Sequence, residues 1–260
     1  MPRTRAIVIV GVKSFAEMNS KAQRQEQLRQ RLERVHERMA EAAVRANRRP
    51  DDVKLVAVSK THPSEFIREA IAAGVTDLGE NRVQEAEAKI PEVGRKAARW
   101  HLIGHLQSNK ARRAVELFDV IHSLDSVALA RRLDRACGEL SREELSLLIQ
   151  IDLGKEATKS GAAESEVLEI IDAIRQSQRL RLTGLMTLPP YFDNPEHARP
   201  FFRRLRELRD ELRAQGVFGE SSGELSMGMT HDYEVAIEEG ATMVRVGTAI
   251  FGARESKTQD

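Results

Sequence analysis

A chain of 260 residues that is 41% hydrophobic and 31% charged is long enough to bury a sizeable core, and α/β barrels of this length commonly form one domain. Its 41 Lys and Arg offset 40 Asp and Glu, which excludes a global field that would draw it onto nucleic acid or an anionic membrane. The single cysteine, Cys137, excludes an intrachain disulfide framework and has no Cys or His cluster of metal-ligand spacing, so it reads as a buried structural thiol in a reducing cytoplasm.

At the amino terminus, Arg3 and Arg5 precede the apolar run Ala6 to Val10. That run is too short for a signal peptide, and it ends at Lys13 without a small-residue cleavage site. No other stretch approaches the roughly 18 uninterrupted apolar residues of a membrane span. Asn19-Ser20, with Gln23 completing a capping box, predicts a helix start there; Met18 reads as a possible physiological start and residues 1 to 17 as a disordered extension. Leu28, Leu32, Val35 and Met39 then form one apolar stripe of a helix that ends before Pro50.

Eight short apolar segments follow: Lys54 to Ser59, Val75 to Gly79, Arg99 to Gly104, Val120 to Leu124, Leu145 to Asp152, Leu180 to Met186, Glu224 to Met227 and Thr242 to Val246. Amphipathic helix patterns separate most of them, such as Ser64 to Ala73 with Gly74 as a stop, Ser126 to Leu140, and Glu196 to Gln215. The alternation predicts parallel strands joined by right-handed crossovers. Eight strands after a preliminary helix predict a single α/β domain, a (β/α)8 TIM-type barrel with an extra N-terminal helix, over residues 18 to 254 with 255 to 260 as a tail. A doubly wound sheet shares the pattern.

In a barrel, binding and catalytic groups lie where strands finish. Polar clusters fall there: Ser59-Lys60-Thr61-His62, Gly79-Glu80-Asn81-Arg82, Gly104-His105 through Lys110, His122-Ser123, Met186-Thr187, Ser226-Met227-Gly228 and Gly247-Thr248. Loops after the seventh and eighth strands frequently bind phosphate. Ser226 and Thr248 supply hydroxyls, and Gly228 and Gly247 let amides approach an anion; turns and helix caps account for the same residues equally well. Arg245, between Val244 and Val246, points opposite to its apolar neighbours, so it needs an acceptor inside: a ligand, or an interior carboxylate. Lys60 either reaches solvent or enters the mouth, where nearby cations and partial burial favour the neutral amine that condenses with an aldehyde.

The segments Leu55-Val-Ala-Val-Ser-Lys-Thr61, Gly79-Glu-Asn-Arg-Val-Gln-Glu85, Trp100-His-Leu-Ile-Gly-His-Leu-Gln-Ser-Asn-Lys110, Gly184-Leu-Met186, Leu225-Ser-Met-Gly-Met229 and Met243-Val-Arg-Val-Gly-Thr-Ala-Ile-Phe-Gly252 together resemble the pyridoxal phosphate homeostasis proteins. The resemblance runs in unbroken order from about the first strand to Phe251. It implies a barrel like the amino-terminal domain of bacterial alanine racemase, with pyridoxal 5'-phosphate held as an internal aldimine on Lys60. It also implies Arg245 at the pyridine nitrogen, Ser226, Gly247 and Thr248 at the phosphate, and Asn81 near the ring. Two positions depart from the family pattern: Thr230 replaces a commoner serine, and Asp152 stands where an asparagine is usual, which puts an amide contact from the fifth strand in doubt. Trp100 reads as core packing, and His101 either as a satisfied strand residue or as an acid or base.

An arginine at the pyridine nitrogen argues against full electron-sink chemistry. The chain stops soon after Gly252, so the β domain that gives alanine racemase a tyrosine base is expected to be absent, and Tyr191 and Tyr233 are the only tyrosines. The expectation is a cytoplasmic, non-catalytic pyridoxal phosphate carrier in vitamin B6 homeostasis, a monomer or weak dimer that serves apo pyridoxal phosphate enzymes and binds no metal, nucleic acid or membrane. A single-domain amino-acid racemase and a phosphate-ester barrel without pyridoxal are the alternatives. Lys110, Arg112, Arg113, Lys155 and Lys159 beside the mouth read either as solvated charges or as a resting place for a departing phosphate.

Overall fold

The computed structural model describes residues 4–154 and 160–252, with side chains from residue 21 onward. Eight parallel strands close into a barrel in chain order: β1 (Lys54–Val58), β2 (Asp77–Glu80), β3 (Arg99–Leu102), β4 (Val120–Leu124), β5 (Leu145–Ile151), β6 (Leu180–Thr187), β7 (Glu224–Met229) and β8 (Met243–Val246). The crossovers carry α2 (Ser64–Ala72), α3 (Val83–Val93), α4 (Ala111–Leu117), α5 (Val127–Glu139), α6 (Val167–Arg175), α7 (Arg199–Ala214) and α8 (Tyr233–Glu238), and α9 (Thr248–Phe251) follows β8. All eight expected strands are present and the doubly wound alternative is excluded, because β1 and β8 pair through Lys54↔Met243, Leu55↔Val244, Val56↔Arg245 and Ala57↔Val246.

The first helix differs from expectation: α1 runs from Thr4 to Arg45 without a break at Asn19-Ser20. Helix formers flank that pair on both sides, and a cap signal yields where the ladder can continue through it. The expected stripe Leu28, Leu32, Val35 and Met39 is buried, and α1 lies chiefly against α8 and α9. Those two helices have only 6 and 4 residues. They are too short to cover the sheet behind β7 and β8, and the extra helix closes that gap.

Two apolar layers result. The larger one fills the space between sheet and helices, while Val56, Val120, Leu148, Met186 and Met243 form the plug inside the barrel. This sorting gives strand parity directly. Val56 faces inward whereas Leu55 and Ala57 belong to the outer layer, so every second residue of β1 from Val56 onward is directed to the barrel axis. β7 carries a bulge against β8, since Ser226 pairs with Met243 but Met229 with Arg245. Gly228 sits in it at φ +89, where an added Cβ would lie 2.6 Å from Ala236 Cβ.

Candidate functional site

The polar groups gather at the carboxyl ends of the strands and reach down to the apolar plug. Ser59 extends the β1 ladder one residue past the strand by donating its amide to Gly79 O at 3.0 Å. The alternation then directs Ser59 outward, where its hydroxyl donates to Glu80 Oε1 at 2.7 Å, and Lys60 toward the mouth. Lys60 is half-buried, as a group at the rim of a cavity should be. Asn81 stands at the tip of neighbouring β2, with its backbone so close to Gly104 that a Cβ there would meet Asn81 O at 2.3 Å.

Arg245 lies inside the barrel and is 2% exposed. Its guanidinium donates to Ser226 Oγ at 2.5 Å and to Thr187 O at 2.9 Å, both neutral acceptors. Burial lowers its pKa to about 10, and the charge of Asp232 opposes that shift. It therefore remains a cation at neutral pH. Asp232, which caps the loop before α8 by accepting from Met229 N at 2.6 Å, is itself pushed up by burial.

Ser226 leads away from the arginine into a buried relay. Its hydroxyl is 2.8 Å from His122 Nδ1, His122 Nε2 is 2.8 Å from His101 Nδ1, and His101 Nε2 is 2.9 Å from Asp77 Oδ1. With both imidazoles neutral, one proton order satisfies every link. The Asp77 carboxylate is acceptor-only, so His101 donates from Nε2 and accepts at Nδ1; His122 must then donate from Nε2 and accept at Nδ1. Ser226 gives its proton to that nitrogen and receives one from Arg245. Burial holds His122 well below the ordinary imidazole pKa, and any proton added to His101 would lower it further, which agrees with the neutral rings this order requires. The relay runs from the mouth to Asp77 near the opposite end of the barrel.

The expected residues thus lie together at the carboxyl ends of the strands. In this proton order the Ser226 hydroxyl donates to His122 and accepts from Arg245. Gly247 donates its amide to Thr230 Oγ1 at 3.2 Å, which gives the departing residue Thr230 a function its hydroxyl preserves. A Cβ on Gly247 would stand 3.3 Å from Val58 O, so the glycine lets β8 close against β1. Thr248 is exposed at the start of α9, whose first amides have no acceptor within the helix.

His101 is the satisfied strand residue expected, and Trp100 is buried in the outer layer. Tyr233 is buried under α1 with Arg38 above its ring, away from the mouth; Tyr191 is 73% exposed on the loop after β6. Of the basic residues beside the mouth, Arg112 pairs with Glu139 at 2.9 Å and Arg113 with Glu87 at 2.6 Å, while Lys155 and Lys159 lie outside the described residues. The sequence reading did not join Asp77, His101 and His122. Their signal was a histidine on an inward position of each of two adjacent strands.

A parallel eight-stranded barrel with its polar groups at this mouth has a known class. Residues 23–255 match the family described as alanine racemase, N-terminal domain. The chain is 43% identical over 226 residues to the pyridoxal phosphate homeostasis protein of Aquifex aeolicus, covering 87% of this chain and 98% of that one. It is 44% identical to PipY of Synechococcus elongatus, over 84% of this chain. The PipY structure without pyridoxal phosphate superposes with a TM-score of 0.74 over 99% of its chain, and the structure with pyridoxal phosphate bound with 0.72 over 100%. The chain belongs to the pyridoxal phosphate homeostasis protein family. No described helix is long and apolar enough to cross a membrane.

Proposed function

We propose that this chain binds pyridoxal 5'-phosphate at the barrel mouth, with Lys60 as the anchoring amine, and stores, buffers or delivers the cofactor in intracellular vitamin B6 homeostasis. The observation that carries this is Arg245: a buried cation beneath the mouth whose hydrogen bonds go to Ser226 and Thr187, on the strand paired with β1. When bound, the cofactor supplies an aldehyde that condenses with a primary amine with release of water, and an aromatic ring that withdraws electrons.

The donor set fits such a group. Lys60 approaches from β1 and Arg245 offers a cationic donor that leaves a ring nitrogen unprotonated. Gly247 and Thr248 lie where the phosphate would sit, with Asn81 at the tip of β2 beside the ring and Ser226 acting through Arg245. An unprotonated ring is a weak electron sink, which argues against aminotransferase chemistry, while a racemase could still work with an arginine there. The naming of the relatives as homeostasis proteins supports a non-catalytic carrier over a single-domain racemase. The functional unit is residues 18 to 254, placed in the cytoplasm as a monomer or weak dimer, with apo pyridoxal phosphate enzymes as recipients.

Borohydride reduction of the loaded protein followed by peptide mass analysis should find the adduct on Lys60; an adduct on another lysine would overturn the assignment. Transfer to an apo-enzyme should occur from the wild type and fail from Lys60→Ala. Chiral analysis after incubation with alanine or serine should show no turnover at ordinary enzyme rates, and such turnover would sink the carrier reading.

A further inference from the structure

Behind the mouth, on the outer face of β1 and β2, lies a charged cluster that cofactor contact leaves unexplained. Lys89 on α3 donates from Nζ to Ser59 O at 2.9 Å and to Glu80 Oε1 at 2.9 Å, and stands 3.5 Å from Glu85 Oε2. The same Glu85 oxygen accepts from Thr61 N at 3.0 Å. Ser59 O and Thr61 N belong to the two peptide planes that meet at the Lys60 Cα. Both planes are therefore tied to one helix, which fixes φ and ψ of Lys60 and with them the direction of its Cα–Cβ bond.

The ties also hold an unfavourable conformation. Thr61 has φ +68, in the left-handed region that β-branched residues avoid and that persists only where the surroundings over-determine it. Glu80 and Ser59 are both fully buried, so Lys89 is seated on a base that does not move with solvent. Lys89 itself is 11% exposed, and its charge lets two carboxylates share the site.

We propose that Glu85 and Lys89, seated on Glu80, are positioning residues that aim Lys60 into the mouth by pinning the peptide on either side of it. The proposal rests on Lys60 being the anchoring amine. A plain staple between α3 and the barrel would also be lost in variants of these residues, so the test must read more than stability.

Two readouts separate the roles: hydrogen exchange at the Thr61 amide of the cofactor-free protein, and the rate at which Lys60 gains a reducible adduct after mixing with pyridoxal phosphate. Glu85→Ala and Lys89→Met should lose Thr61 protection and slow adduct formation on Lys60 by about tenfold or more, the cost of a misaimed reacting group. Glu85→Gln and Lys89→Arg, which keep an acceptor and a donor in place, should stay close to wild type. Glu85→Ala carries the test if Lys89→Met does not fold, because Glu85 lies at the surface end of the cluster. A folded Glu85→Ala protein with wild-type Thr61 exchange, or with a wild-type rate on Lys60, overturns the positioning role alone. A wild-type adduct on a different lysine removes the proposed function and this role together.

Discussion

Asp77 sits about as far from the mouth as the barrel allows, yet the relay makes it the group that orders the protons beneath Arg245. In Asp77→Ala the Nε2 proton of His101, which is 1% exposed, loses its acceptor. An unsatisfied buried donor costs about 1–3 kcal/mol. For a chain of this size each kcal/mol moves Tm by about 2–4 °C, so the variant should melt about 2–12 °C lower. Asp77→Asn keeps an acceptor oxygen but also presents an amide donor. It should cost about 1 kcal/mol or less, while making the reversed proton order accessible. Nitrogen NMR of the imidazoles at neutral pH reads this directly: both His101 and His122 should carry the proton on Nε2 in the wild type, and both should show mixed tautomers in Asp77→Asn. A wild-type His122 protonated on Nδ1, or an Asp77→Ala protein of unchanged Tm, would refute the directional relay.

Acid should destabilise the barrel through His122. Its folded pKa lies below the unfolded value, so its stabilising contribution is complete above about pH 6.5 and declines as the pH falls below that. A Tm flat from pH 7 to pH 5 in a variant with Asn at position 122, against a falling wild type, is the expected comparison. Glu239, nearly buried among Arg199, Arg203 and Arg206 at 3.2, 3.0 and 2.8 Å, staples α7 to the end of α8. Burial pushes its carboxyl up, but the hydrogen bonds from Arg203 and Arg199 and the charge of Arg206 together hold it below its usual range. Because the arginines are partly solvated, Glu239→Gln should cost about 1–2 kcal/mol, less than a fully buried pair, seen as a lower urea midpoint at unchanged slope. Gly228→Ala must strain φ +89 and also bring a Cβ to 2.9 Å from Tyr233 Cα, whereas Gly216→Ala at φ +73 meets nothing within 4 Å. Both should destabilise, Gly228→Ala by clearly more than the about 1 kcal/mol of conformational strain alone, by denaturant titration.

The strands were legible because a parallel barrel buries both faces of each, leaving apolar runs that need no alternation to be recognised. Their ends shifted by a residue or two, as at β2, where the run from Val75 begins pairing only at Asp77. Lys60 and Arg245 stood out for the opposite reason, as charges within such runs. The relay was not legible as a unit. Asp77 and His101 are separated by 24 residues, His101 and His122 by 21, and His122 and Ser226 by 104. Only closure of the barrel and the register of β2 on β3, with Asp77↔Arg99 and Gly79↔His101, bring them into line. The same holds for the Ser226 hydroxyl, whose residue type suggested a phosphate donor and whose place between Arg245 and His122 only the folded barrel reveals. For Thr230 the type sufficed, since a threonine in place of serine retains the oxygen that Gly247 uses.

The two faces of β1 show how the barrel manages charge. Inside, an ionised group has little water, and one cation, Arg245, is accommodated by neutral dipoles that end on the half-buried carboxylate Asp77. Outside, between the sheet and α3, Lys89 bridges the fully buried Glu80 and the partly exposed Glu85 in direct contact. The interior therefore holds a cation whose hydrogen bonds go to neutral groups, while the charge of Asp232 acts on it from the loop before α8. An anionic ligand entering the mouth would add its negative charge to that of Asp232. Binding of such a ligand should accordingly tighten Arg245 without reversing the relay. Nitrogen NMR should find His101 and His122 with the same Nε2 tautomers before and after pyridoxal phosphate is added; a change of tautomer on loading would mean that Ser226 turns its proton toward the phosphate after all.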